Sequence, residues 1–135
     1  MTQRTLVLLK PDTVRRGLIG NILSRFEDKG LTIVAMEYRT IDVAKADEHY
    51  AEHVDKDFYP PLRAFVTSGP LVSLLLEGDE AVEVVRAING ATDGRKAAPG
   101  TIRGDLSVSN RENLVHGSDS PESAEREIKI WFPDL

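Results

Sequence analysis

Cysteine is absent from the 135 residues. That removes disulfides, thiol nucleophiles and thiolate zinc sites together. Basic charge is in deficit, with 17 Lys and Arg against 22 Asp and Glu and a formal net charge of −5. A chain of this sign lacks the clustered basic excess that general nucleic-acid binding requires. A small phosphorylated ligand is not excluded, because a few local Lys and Arg can hold one. Long apolar runs are missing too: Arg4 is followed by only five uncharged residues before Lys10, with no signal-like or membrane-spanning stretch further on. No repeat and no low-complexity segment is visible. With 41% apolar residues at this length, the expectation is one soluble, cytoplasmic domain over 1–135 with a buried core and no membrane or nucleic-acid partner.

Short apolar runs and helical spacings alternate along the chain. Thr5-Leu6-Val7-Leu8-Leu9, ended by Lys10-Pro11-Asp12, reads as a buried strand. Leu18, Ile19, Ile22, Leu23 and Phe26 repeat at helical spacing, with Gly30 as the stop. A second strand is expected over 31–38, a helix capped by Asp42 over 43–53, and a helical segment over 59–67. Leu71 to Leu76 reads as a third strand and residues 80–88 as a helix. Residues 89–105 are rich in Gly and charge and long for a structureless loop, which marks them as functional. Asn113-Leu114-Val115-His116 is a fourth strand, and Ser120-Pro121 opens a last helix. The predicted fold is α+β: a ferredoxin-like βαββαβ sandwich, its four-stranded antiparallel sheet carrying helices on one face and added helical segments.

Only three histidines exist: His49, His53 and His116. His49 and His53 fit the short H-x-x-E-H zinc pattern with Glu52, a weak match that an ordinary amphipathic helix produces by chance. His116 stands apart. Gly117 leaves room beside it, Ser118 and Asp119 are short polar neighbours, and the last helix brings Glu127 back over the same end of the sheet. A carboxylate that orients an imidazole fixes its tautomer and supports developing positive charge. Lys10 after the first strand, Arg86 late in a helix and Arg103 in the Gly-rich segment together suggest a phosphate cradle. Neither a P-loop nor a G-x-G-x-x-G supplies that cradle. A phosphate site of this kind with an exposed histidine suggests transfer through a phosphohistidine.

The segment Asn113-Leu114-Val115-His116-Gly117-Ser118-Asp119 resembles the active-site signature of the nucleoside diphosphate kinase family. Lys10-Pro11-Asp12, His49-Tyr50, Thr67-Ser68-Gly69-Pro70, the run from Pro99 to Asp105, and Ser123-Ala124 before Glu127 follow in that family's order. The resemblance spans essentially the whole chain. It implies a ping-pong enzyme in which His116 takes the γ-phosphoryl group of a nucleoside triphosphate, mainly ATP, and passes it to a nucleoside diphosphate. By matching positions, Lys10, Tyr50, Arg86, Thr92, Arg103 and Asn113 would contact phosphates or ribose. Phe58 would stack on the base beside Leu62, while Ser118 and Glu127 would orient the histidine. Mg2+ would ride on the nucleotide phosphates, with no metal ligands from the protein. The family assembles as homo-oligomers, a hexamer being expected here and a tetramer the alternative. Departures from the family pattern fall at Thr13, Asp57, Gly94 and Leu106. Two other readings compete: a non-catalytic ferredoxin-like binding domain with a structural His116, and a small zinc hydrolase on His49, Glu52 and His53.

Overall fold

The computed structural model describes residues 1–135. Its sheet runs in the order β2-β3-β1-β4, every pair antiparallel: β1 (Thr2–Leu9), β2 (Thr32–Arg39), β3 (Leu71–Asp79) and β4 (Val115–Gly117). The first crossover holds α1 (Pro11–Arg15) and α2 (Ile19–Asp28); the second holds α5 (Ala81–Asn89) and α6 (Ile102–Leu106). Between β2 and β3 come α3 (Val43–His49), a single 3-10 turn (Ala51–His53) and α4 (Tyr59–Val66). The chain closes with α7 (Pro121–Trp131).

The central strand explains the architecture. Along β1, Val7 and Leu9 point to one face and Leu6 and Leu8 to the other, and all four are buried. On the first face they meet Ile22 and Phe26 of α2 and Val85 of α5, the ferredoxin-like layer. On the second they meet Ala46 of α3, Val66 of α4, and Trp131 and Phe132 at the end of α7. The helices between β2 and β3 therefore cover, with α7, the face a minimal sandwich leaves open. A strand buried on both faces reads as a continuous apolar run, which is why β1 and β3 stand out in the sequence. Each such side chain contributes about 1.5–3 kcal/mol of burial.

Several boundaries differ from the sequence reading. The helix expected over 43–53 stops at His49, and the chain continues in successive i→i+3 turns, His53 N–H to Tyr50 and Lys56 N–H to His53. The segment 89–105 is not structureless throughout: Thr101 caps α6 by accepting the Gly104 N–H at 3.0 Å. The fourth strand starts at Val115 because Leu114 sits at φ +74°, where no ladder can form. A left-handed conformation costs a non-glycine residue about 1–2 kcal/mol. Gly117 is also needed for packing: a Cβ there would lie 2.9 Å from Asn89 Nδ2 and 3.0 Å from Val85 Cγ1 of α5.

Candidate active site

The C-terminal end of β1, the start of β4 and the N-terminal half of α7 converge on a cavity of about 910 Å³. Each element is placed by a local signal. Lys10 N–H donates to the Leu114 carbonyl at 2.8 Å and ends β1 against the segment before β4. Ser120 caps α7 by accepting the Ser123 N–H at 3.0 Å, with Pro121 at the first helical position. That start aims Glu127 at His116: Nε2 and Glu127 Oε1 are 2.8 Å apart. Ser118 Oγ, fully buried, donates to the same oxygen at 2.8 Å.

This pair decides the imidazole's chemistry. An ionised carboxylate only accepts, so opposite a neutral ring this contact places the hydrogen on His116 Nε2 and the lone pair on Nδ1. The residues alone leave the choice of nitrogen open and the family resemblance implies Nδ1; the Glu127 contact occupies Nε2.

Every sequence-predicted site residue except Ser118 lines the cavity, and Ser118 stands directly behind Glu127. Lys10 Nζ donates to Asn113 Oδ1 at 2.8 Å, and Asn113 Nδ2 donates to the Thr92 carbonyl at 3.0 Å. Arg103 is held by three carbonyls, those of Gly90, Asn113 and Val115, at 2.9, 3.2 and 2.6 Å. Arg86 Nη1 donates to the Asp119 carbonyl at 3.1 Å. Leu62 packs on the second core, whereas Phe58 is half exposed at the rim. The Tyr50 hydroxyl is buried without a partner.

Five cations line the cavity, Lys10, Arg86, Arg103, Arg111 and Arg126, against the carboxylates Glu52, Asp119 and Glu127. An acidic chain thus collects positive charge at one place. Burial, then Arg103, pulls the Lys10 ammonium down to about 8. Burial, then Arg86, pulls Arg103 down to about 10. Burial pushes the Tyr50 hydroxyl up, with Glu127 adding to the effect. Crowded, desolvated cations gain when an anion enters, because an opposite charge relieves both penalties.

His49 and His53 do not share a helical face. His49 is buried at the end of α3 and its Nδ1 accepts the Trp131 indole N–H at 2.9 Å. His53 lies on the following turn against Phe58. His49, His116 and Glu127 do bring donor atoms within 4.8 Å of one another, yet each already has an internal partner. Of the cavity carboxylates, Glu127 is engaged twice, by His116 and by Ser118. The donor set fits a cation that enters with phosphate oxygens and water. Arg126, whose guanidinium donates to the Glu48 carbonyl at 2.7 Å and ties α7 to α3, was not singled out in the sequence. Its surface-like pattern on α7 carried no signal.

The sequence model of the nucleoside diphosphate kinase family matches residues 3–135. The chain belongs to that family. A nucleoside diphosphate kinase of Nocardioides sp. strain JS614 is 80% identical over 135 residues, all of both chains. One from Cutibacterium acnes is 60% identical over 133 residues, 98% of this chain and 96% of the relative. Among solved structures, the halophilic nucleoside diphosphate kinase of Halobacterium salinarum in complex with CDP superposes with a TM-score of 0.96 at 49% identity, covering 99% of this chain and 90% of that one. The enzyme from Aquifex aeolicus gives 0.94 at 41%, covering 98% and 96%. Members of this family transfer phosphoryl groups between nucleotides, and this chain is a nucleotide-binding transferase of that class. The ferredoxin-like architecture expected from the sequence is the family's own. No helix is long and apolar enough to cross a membrane.

Proposed function

We propose that His116 Nδ1 is the nucleophile of a two-step transfer, acting within one catalytic domain spanning 1–135. In the first step Nδ1 attacks the γ-phosphorus of a nucleoside triphosphate. The N–P bond forms, the bond to the β–γ bridging oxygen breaks, and the nucleoside diphosphate leaves with that oxygen. In the second step a terminal oxygen of another nucleoside diphosphate attacks the same phosphorus and Nδ1 leaves with its electron pair. The observation that carries the reading is the 2.8 Å contact between His116 Nε2 and Glu127 in a cation-lined cavity. Glu127, oriented by Ser118, stabilises the positive charge that the ring gains on phosphorylation.

Lys10, Arg86, Arg103 and the Tyr50 hydroxyl face the phosphates, with Thr92 and Asn113 toward phosphate or ribose. Phe58 stacks on the base and Leu62 supports its edge. Magnesium is carried in as the nucleotide complex, neutralising phosphate charge. The setting is cytoplasmic. The active form is a homo-oligomer, a hexamer in preference to a tetramer; Val34, Met36 and Tyr38, exposed on the edge strand β2, supply an apolar surface for it.

The test is to mix pure protein with γ-labelled ATP and magnesium. Label should appear on the protein, resist alkali, be lost in acid, and vanish in His116→Ala. Acid-stable label, or label retained by His116→Ala, overturns the assignment.

A further inference from the structure

Leu114 is the joint on which the cavity turns. It sits in the left-handed region at φ +74°, between Asn113 and Val115, whose carbonyls both hold Arg103. Its side chain is buried in the first core. A branched residue persists there only where its surroundings over-determine the backbone.

Those surroundings come from residues 10–13. The Lys10 N–H and the Thr13 hydroxyl both donate to the Leu114 carbonyl, at 2.8 and 2.7 Å. The Leu114 N–H donates to Asp12 Oδ2 at 3.1 Å. Thr13 is fully buried, and its hydroxyl has this one partner.

We propose that Thr13 is a positioning residue for phosphoryl transfer: its hydroxyl locks the Leu114 peptide and thereby the mutual alignment of Asn113, Arg103 and His116. The bond touches no substrate. It fixes the carbonyls that aim Arg103 and the register at which His116 enters β4 opposite Leu8. Its loss blurs a geometry that matters most at the transition state, where small misplacements are amplified. Nucleotide grip is spread over the rim and the remaining cations and is much less sensitive.

The inference rests on the phosphohistidine reading, so wild-type protein is the first arm. Its single-turnover labelling by saturating ATP with magnesium tests that reading alone. Thr13→Val keeps the shape and deletes the hydroxyl; Thr13→Ser restores it. The expected result is a roughly three- to tenfold slower single turnover in Thr13→Val, the size of one lost buried hydrogen bond. KM should stay within about twofold, with Thr13→Ser near wild type. Rates are read well below each variant's unfolding midpoint. If Thr13→Val does not fold, Thr13→Ser against Thr13→Ala gives the same comparison. A hydroxyl-free variant that transfers at the wild-type rate overturns the proposal. So does a rise in KM matching the fall in kcat, or a Thr13→Ser variant as slow as Thr13→Val.

Discussion

His49 and His116 touch edge to face, ring centroids 4.7 Å apart, and are held by different partners. The Trp131 indole fills His49 Nδ1, and burial, then His116, keeps that ring's pKa well below the usual histidine range. His49 therefore stays neutral beside His116. Around His116 the groups rank by what they touch. Arg103→Ala should lower single-turnover transfer by roughly 10²–10³-fold, the scale of a preorganised donor at developing charge. Glu127→Ala should cost about ten- to a hundredfold, because a charge-assisted hydrogen bond is worth about 1.5–3 kcal/mol. Rapid-quench rates that reverse this order would show that Glu127 does more than orient the ring. Lys10 gives a pH signature. Its pKa of about 8 lies below the ordinary lysine value of 10.5, so the cavity loses a cation as pH rises through 8. kcat/KM, which reports the free enzyme, should fall above pH 8, and Lys10→Arg should push that limb upward. The stability contribution has the opposite slope: between 8 and 10.5 the unfolded chain binds more protons, so this group adds stability with rising pH.

At the scale of elements, α7 is the helix whose start most directly sets the site. Ser120→Ala removes its cap and should lower stability by about 1 kcal/mol, read as a shift in the denaturation midpoint. The loop before α6 offers a sharper test. Gly94→Pro should destabilise this chain by more than about 1 kcal/mol. The Gly94 N–H donates to the Ser109 carbonyl at 3.2 Å, and a Cβ would lie 2.2 Å from the Ser107 carbonyl oxygen. A rise in the thermal midpoint of that variant would contradict this packing. The legible elements carried their signals locally: β1 and β3 as unbroken apolar runs, α2 by its spacing, α7 by Ser120-Pro121. The end of α3 was hidden because Tyr50 is no helix breaker; its packing into the second core with its His49 neighbour sets the boundary. Leu114 was hidden for the same kind of reason. Nothing about leucine announces a positive φ; the hydrogen bonds from residues more than 100 positions away impose it. The residues that line the cavity together were legible through motif spacing, but which ring nitrogen Glu127 meets was not.

Over the whole molecule, the proposed recognition rests on what all nucleotides share. Five cations line the cavity, and half-exposed Phe58 offers it an aromatic face. Stacking contributes about 1–3 kcal/mol with little preference among bases. kcat/KM for the diphosphates of adenosine, guanosine, cytidine and uridine, with one common donor, should differ by far less than a thousandfold, purines leading. A wider spread would mean that a group near Phe58 reads base edges, and Asp57 is the first to replace. The sheet order has another consequence. β1 is central, but its partners β3 and β4 lie at residues 71–79 and 115–117, and one of its two apolar faces is closed by Trp131 and Phe132. On the ribosome the chain emerges from the other end. The central strand is therefore made before its partners and is among the last sheltered. A nascent chain halted before α7 exposes an uncovered face of β1 and has no Glu127 to orient His116. Slow translation late in the message is then a greater hazard for aggregation than slow translation early, because by then the sticky strand has been waiting longest.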